Sequence, residues 1–240
     1  YKRMGIDAVV EYTGNPVVFR SYFAIKGNPK VSILIPNKDH TADLEKCVTS
    51  IMEKSTWKNF EIIVIENNSE EEKTFCYYEE LEKRYSEVKV VKWDGPFNYS
   101  AINNFGAQYA EGEFLLLLNN DTEIISPDCL EQLLGYCMRP DVGAVGARLY
   151  YEDDTVQHAG IVVGIGGNAR GIGQNMFMGL QRARSGYLHK ASLAMDYSAV
   201  TAACLMVKRS IYEAVGGFEE KLAVAFNDVD YCLKVRKHGW

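Results

Sequence analysis

The stretch Phe114-Leu115-Leu116-Leu117-Leu118-Asn119-Asn120-Asp121-Thr122-Glu123 changes from wholly apolar to polar and acidic in one step. Such an apolar run, far too short to span a bilayer, suits a strand buried on both faces. The residues that follow then stand at the strand's rigid end and present oxygen atoms. Mg2+ and Mn2+ take such hard oxygens and need few protein ligands when phosphates supply the rest. On these residues alone a second reading stays open, a turn in which Asn and Asp cap the next helix.

Working upstream, Val31 to Ile35 is a similar apolar run ending at Pro36, and Leu44, Cys47, Val48, Ile51 and Met52 follow at helical spacing. Glu61 to Ile65 gives a second strand, Phe75, Tyr78, Leu81 and Tyr85 a helix with a charged face, and Val88 to Val91 a third strand. Ser100 is placed to cap a helix carrying Ile102, Phe105 and Tyr109. Downstream, Pro127 opens a helix with Leu130, Leu133, Leu134 and Cys137, and Val142 to Leu149 returns to strand. Strands alternating with helices predict an α/β, Rossmann-like, doubly wound and mostly parallel sheet with helices on both faces. Residues 1–30, with alternating Val17, Phe19, Tyr22 and Ala24, read as an N-terminal extension or small β element. Ligands in doubly wound sheets bind at the carboxyl ends of strands. Three polar clusters sit there: Pro36-Asn37-Lys38-Asp39, Glu66-Asn67-Asn68-Ser69, and Asn119 to Glu123.

Composition narrows the function. The 240 residues are 47% hydrophobic, enough for a substantial core, and the formal net charge is −6. Without clustered Lys and Arg, nucleic acid is not an expected partner. Six scattered cysteines form no C-x-x-C pair or zinc spacing, which suits a reduced, cytoplasmic setting. No transmembrane segment or signal peptide is expected in this chain, which reads as a fragment truncated at its C-terminus. Any attachment to the inner face of a membrane is expected to lie in the parent's other parts.

Several segments together resemble the family 2 inverting glycosyltransferases of GT-A fold, with bacterial polysaccharide enzymes, including rhamnosyltransferases, the nearest in character. Val31 to Lys38 resembles their opening strand, and Glu61 to Ser69 their second strand with its acidic turn. Asn103-Asn104-Phe105-Gly106 and Ala110-Glu111-Gly112-Glu113 resemble their N-x-G…A-x-G-E segment. Asn119-x-Asp121 stands where the family carries D-x-D, and Gly216-Gly217-Phe218 with Asn227-Asp228-Val229-Asp230 resembles its GGF…EDVD segment. The pieces occur in the family's order from about Val31 to Trp240.

The resemblance implies a glycosyltransferase domain over residues 31–240, with a nucleotide-sugar half (31–123) and an acceptor half (124–240). It implies a donor site of Pro36, Lys38, Glu66, Asn67, Asn104, Asn120 and Asp121, with Asn103 beside Asn104. Asn67 replaces a base-reading Asp; its amide oxygen still accepts a base N–H, which keeps UDP- and dTDP-sugars open as donors. A divalent metal, Mg2+ or Mn2+, is implied, held by Asp121 and Asn119. Asn119 is neutral and a weaker ligand than Asp, so either metal dependence is reduced or Glu123 contributes through water. Asp228 is implied as the general base toward an acceptor hydroxyl of a glycan or lipid-linked glycan. The bland reading of Asp228 makes Asn227 an N-cap and Asp228 and Asp230 first-turn acids of an ordinary helix. His158, Thr201, Asn227 and Asp230 are expected on the acceptor side.

Weaker signals surround these. Gly164 to Gly171 reads as a flap rather than a phosphate loop, since no Lys-Ser/Thr follows. Arg170, Arg182 and Arg184 are candidates for phosphate contact, with solvated surface charge as the plainer fate, and Tyr150 and Tyr151 are core by default. Two alternatives compete: a nucleotidyltransferase, disfavoured because Asn37-Lys38-Asp39-His40 lacks glycines, and a catalytically weak nucleotide-sugar-binding domain, suggested by Asn119 and Asn227.

Overall fold

Long apolar runs with few breaks fold as strands covered on both faces, and three such runs form the centre of the molecule. In the computed structural model, which describes residues 1–15, 17–165 and 173–240, the chain opens with β1 (Ala8–Tyr12) and β2 (Phe19–Phe23). It continues through β3 (Val31–Asn37), α1 (Thr41–Lys54), β4 (Phe60–Glu66), α2 (Glu72–Arg84), β5 (Val88–Lys92), α3 (Tyr99–Ala107) and β6 (Phe114–Leu118). Then come α4 (Cys129–Cys137), β7 (Val145–Gly146), β8 (Leu149–Tyr150), β9 (Val156–His158), β10 (Ile161–Val163) and β11 (Gly173–Asn175). The last elements are β12 (Cys204–Lys208), α5 (Arg209–Ala214) and α6 (Asn227–Lys237).

The main sheet has six strands in the order β5-β4-β3-β6-β12-β7. The first four are parallel, whereas β12 runs antiparallel to β6 and β7 antiparallel to β12. Side chains alternate between two cores. Ile33, Ile35, Ile62, Val64, Leu116 and Leu118 pack against α1, α2 and α4. Leu34, Ile63, Ile65, Leu115 and Leu117 face α3, α5 and α6. Because β3, β4 and β6 run parallel, their last residues fall at one end of the sheet.

Two local expectations are corrected. The strand expected over Val142 to Leu149 shrinks to β7, because Gly146 lies against Val200, where a Cβ would come within 2.6 Å, and the chain then leaves the sheet for β8. The cap of α3 is Asn98, not Ser100: the Asn98 side chain accepts the Ala101 N–H at 3.0 Å, and Ser100 Oγ donates to the Leu222 carbonyl at 2.7 Å. Two capping residues two positions apart cannot be ranked without knowing which is extended, and Asn98 is (φ −154°). The N-terminal extension is a hairpin, β1 against β2, whose Phe23 ring packs edge-on to Tyr136 of α4 at 4.8 Å.

The A-x-G-E segment anchors the opposite end of the sheet. Glu61 accepts the Glu111 N–H at 2.7 Å and the Ser32 hydroxyl at 2.6 Å, while the Gly112 N–H donates to Ser32 Oγ at 2.8 Å. Lys30 and Lys89 pair with the other Glu61 oxygen. Burial alone would raise the Glu61 carboxyl, but these partners outweigh it and hold it below its ordinary value. A Cβ on Gly112 would meet the Lys30 carbonyl at 2.5 Å and the Ser32 backbone N at 2.8 Å, neither able to yield cheaply. Gly112→Ala is therefore expected to cost about 1–3 kcal/mol, the usual range for overpacking. At about 2–4 °C per kcal/mol for a domain of this size, a thermal melt at neutral pH should fall by several degrees. An unchanged melting temperature would mean that β3 and β6 part more easily than this packing implies.

Candidate active site

The polar strand ends are welded into one rim by Asn37. As the last residue of β3 it is 3% exposed. Its carbonyl accepts the Asn67 N–H at 2.9 Å, and its Oδ1 accepts from Asn120 Nδ2 at 2.6 Å. Its own Nδ2 donates to the Asp39 carbonyl and to the Tyr78 hydroxyl, both at 2.8 Å. One amide thus ties together the ends of β3, β4 and β6. Asp39 extends the weld: its carboxylate accepts the N–H groups of Glu70 and Glu71 and the Thr74 hydroxyl, capping α2 from a neighbouring loop. The Glu71 N–H foremost, with Glu70, Thr74 and Lys38, holds the Asp39 carboxyl below its usual range. Sequence reasoning listed Asn37 and Asp39 among polar residues but gave neither a role.

Along this rim Pro36 lies opposite Ile65, and Lys38 pairs with Glu70 at 3.0 Å in an exposed position. Glu66 is 2% exposed; its Oε1 accepts the Ser69 N–H, and its Oε2 is buried with no partner among the described residues. A buried acceptor left unpaired is costly, so this oxygen is a natural place for a ligand hydroxyl or N–H. Asn67 Nδ2 donates to the Gly95 carbonyl at 3.0 Å, which fixes the amide orientation and leaves Oδ1 as the acceptor facing elsewhere.

Beyond β6, Asn119 and Asp121 part in their surroundings. The Asn119 N–H donates to the Ala203 carbonyl at 3.1 Å, and its Oδ1 lies 3.3 Å from the Tyr99 hydroxyl. That hydroxyl also reaches the Ala202 carbonyl at 3.0 Å. Asp121 is exposed. Glu123 pairs with Lys54 of α1 at 2.6 Å in an exposed position. Desolvation, then the charges of Asp228 and Asp121, push the Tyr99 phenol up, so both carboxylates bear on this partly buried tyrosine. Sequence reading missed Tyr99, whose only signal was its neighbourhood to the α3 cap.

Asp228 sits in the first turn of α6. The helix is capped by Phe226 in the left-handed region (φ 62°), not by Asn227, which corrects that reading. Asn227 Oδ1 instead accepts the Asp228 N–H at 2.8 Å, and Asn227 is buried. Asp228 Oδ1 accepts the Val229 N–H at 2.8 Å, and its Oδ2 accepts the Ala202 N–H at 3.3 Å. Asp228 and Asn227 line a cleft of about 240 Å³ together with Thr201, Asn175, Ile161 and Phe226. A single segment therefore couples the two acidic centres: Ala203 holds Asn119, Ala202 holds Asp228, and Tyr99 bridges to both.

Four of the expected site residues are engaged by the fold itself. Asn104 is consumed by the fold: its Oδ1 accepts from the Tyr212 hydroxyl at 2.7 Å and the Phe218 N–H at 2.9 Å, and its Nδ2 donates to the Phe218 carbonyl and Glu220. A Cβ on Gly217 would meet that Oδ1 at 2.5 Å, so Gly216-Gly217-Phe218 and Asn104 are mutual packing partners rather than a nucleotide wall. Asn103 is likewise internal, donating to the Tyr99 carbonyl. Asp230 pairs with Lys234 at 2.9 Å along α6 and is absent from the cleft lining. His158 is 2% exposed, with both ring nitrogens engaged inside, so it offers nothing to an acceptor directly. Thr201 does line the cleft.

Of the weaker signals, most of Gly164 to Gly171, including Arg170, lies outside the described residues. Arg182 pairs with Asp154 and lies 4.9 Å from the centre of the Tyr150 ring, which Arg148 also approaches at 5.0 Å. Tyr150 is thus flanked by cations rather than packed in the core, and Tyr151 is exposed. No group of three His, Cys, Asp or Glu side chains among the described residues has metal-binding geometry. A cation at this rim would need oxygens from a bound ligand beside the protein's own, as Mg2+ commonly binds with phosphates.

The sheet and its acidic rim define a GT-A glycosyltransferase domain, and comparison with known proteins agrees. The structure superposes on a mannosyltransferase, PcManGT, from Pyrobaculum calidifontis in complex with GDP-Man and Mn2+, with a TM-score of 0.66 and 16% identity, over 90% of this chain and 54% of that one. It matches GalNAc-T7 with UDP, GalNAc and Mn2+ equally well, with a TM-score of 0.66 and 14% identity over 90% of this chain and 42% of the other. At these identities the likeness shows the fold alone.

Residues 32–216 match the model of Glycosyl transferase family 2, and the chain belongs to that family. The match stops short of α6, so Asp228 rests on the geometry above and on the resemblance of its segment. Among relatives, the uncharacterized protein y4gI of Sinorhizobium fredii is 44% identical over 94% of this chain. The O-antigen biosynthesis protein RfbC of Myxococcus xanthus is 37% identical over 93% of it. The chain spans 24% and 17% of the lengths of those two proteins. A GalNAc(5)-diNAcBac-PP-undecaprenol beta-1,3-glucosyltransferase of Campylobacter jejuni is 31% identical over 41% of this chain and 31% of its own length. No helix among the described residues is long and apolar enough to cross a membrane.

Proposed function

We propose that this domain transfers a sugar with inversion from a UDP- or dTDP-sugar to a hydroxyl of a glycan or lipid-linked glycan acceptor in polysaccharide assembly. The observation that carries the reading is the Ala202–Ala203 segment, which holds Asp228 by one N–H and Asn119, two residues before Asp121, by one carbonyl. A donor lying on the rim brings its diphosphate to Asp121 and its sugar toward the cleft that Asp228 lines. Asp228 Oδ1 and Oδ2 each accept one backbone N–H, which aims the carboxylate while leaving lone pairs for an acceptor O–H.

In the step, the acceptor oxygen forms a bond to the anomeric carbon as the bond from that carbon to the phosphate oxygen breaks. The acceptor proton passes to Asp228, and the nucleoside diphosphate leaves from the opposite face, which inverts the centre. Asp121 and the Asn119 oxygen would hold a divalent cation, Mg2+ or Mn2+, which would supply positive charge against the departing diphosphate. The Mn2+ in both structural neighbours supports that choice. Asn67 Oδ1, free of Gly95, is placed to accept the N3–H of uracil or thymine, and Glu66 Oε2 a further ligand N–H or hydroxyl. The acceptor class follows the names of RfbC and of the undecaprenol-linked glucosyltransferase.

Calorimetric titration with UDP, dTDP and GDP, with and without Mn2+, tests the donor site. The expected result is metal-enhanced binding of UDP or dTDP, at least tenfold tighter than GDP. Preference for GDP would overturn the role given to Asn67, and no binding by the folded protein would overturn the donor site itself.

A further inference from the structure

His158 is the one buried imidazole whose contacts reach the base through a short covalent path. Its Nε2 lies 3.2 Å from the Gly160 N–H and 3.3 Å from the Thr201 N–H. Both neighbours are donors, so Nε2 carries a lone pair. Its Nδ1 is therefore the protonated nitrogen and donates to Asn175 Oδ1 at 2.7 Å. The ring joins three separate pieces of chain: β9, which carries it, Asn175 at the end of β11, and the segment before β12. Two of its partners, Asn175 and Thr201, line the same cleft as Asp228. The residue after Thr201 is Ala202, whose N–H holds Asp228 Oδ2 at 3.3 Å.

We infer that neutral His158 is a positioning residue for Asp228: by accepting the Gly160 and Thr201 N–H groups it fixes the Val200–Thr201 peptide, next to the Thr201–Ala202 peptide whose N–H aims the base. The inference rests on the base role proposed for Asp228. Protonation of Nε2 would set an N–H against two N–H donors, releasing Gly160 and Thr201 together and freeing Ala202 to drift from the carboxylate. Burial favours the neutral ring and lowers its tendency to protonate, with Asn175 and the Asp228 charge acting the other way. Among the described residues, Asp228 on α6 is the charged group that acts on the ring; Asn175 on β11 and the Thr201 segment present only uncharged groups to it.

Nuclear magnetic resonance on the whole chain tests this without an acceptor. The imidazole nitrogen shifts should show an Nδ1–H tautomer at neutral pH. On acidification the Gly160, Thr201 and Ala202 amide shifts should move with the His158 ionisation in the wild type and stay put in His158→Asn. A parallel assay follows nucleoside diphosphate release from UDP-glucose and dTDP-rhamnose, with water as acceptor. His158→Phe should lower turnover at least tenfold with UDP or dTDP affinity unchanged, and His158→Asn, whose amide oxygen still accepts, should recover part of it. The wild-type acid limb should lose one ionisation in His158→Asn. An Nε2–H tautomer, amides indifferent to the His158 ionisation, or wild-type turnover and pH profile in His158→Phe would each overturn the inference. Asp228→Asn separates the two levels: if it retains full turnover, the base assignment falls, whereas its loss beside an unaffected His158→Phe sinks this inference alone.

Discussion

Replacing Asp228 by asparagine is expected to slow sugar transfer by about 10²–10⁴-fold, the range a positioned general base contributes. The substitution keeps the size of the side chain and one acceptor oxygen, so either the Val229 or the Ala202 N–H retains its partner. What disappears is the capacity to take a proton from the attacking hydroxyl. Donor affinity should stay within about twofold, because Asp228 lines the cleft with Thr201 and Asn175 and takes no part in the Asn37 junction. The pairing of these two results is the diagnostic, read from turnover with saturating donor and from calorimetric affinity for UDP or dTDP. Turnover within tenfold of wild type would mean that another group takes the proton. Equal losses in turnover and donor affinity would instead mark Asp228 as part of the donor site.

The second large effect belongs to Asp121. Asp121→Asn should remove most of the metal-enhanced increment in nucleoside diphosphate affinity while leaving affinity for the bare nucleoside as it was. The fold should not notice: Asp121 is exposed, and such surface changes usually fall within about ±0.5 kcal/mol. Asn119→Asp gives the converse test, since a second carboxylate beside the Tyr99 hydroxyl should tighten Mn2+-dependent binding. Chelating the metal from the wild type should reproduce the Asp121→Asn affinity. If the variant keeps its full response to Mn2+, the cation is held elsewhere and the reading of the strand end fails.

Much of this was legible in one dimension because burial on both faces writes itself as unbroken apolar runs. Val31 to Ile35, Glu61 to Ile65 and Phe114 to Leu118 announce three central strands, and their polar successors announce the edge where ligands bind. The reversed strands were not announced. Cys204 to Lys208 is as apolar as its parallel neighbours, and direction depends on where a long connection returns the chain. Asn104 misled because an amide in a familiar motif looks the same whether it faces a nucleotide or, as here, Tyr212 and Phe218. Asn37, Tyr99 and Ala202 escaped for the opposite reason. The partners that join them to other strand ends lie from 20 to 103 positions away, and a backbone N–H has no residue signature at all.

The junction at Asn37 fixes the ends of β3, β4 and β6 to one another, whereas the hairpins between β7 and β12 lie outside the main sheet. Between β7 and β12, the short strands β8 to β11 pair in separate hairpins, joined to the segment before β12 by the Ile161–Ala199 bridge and by His158. A graft that exchanges residues between Leu149 and Thr201 would leave every contact of the Asn37 junction in place. Under the proposed function, evolution or a protein engineer would thus hold a tool with a fixed handle and an exchangeable head, sampling new acceptors without rebuilding the grip on the nucleotide.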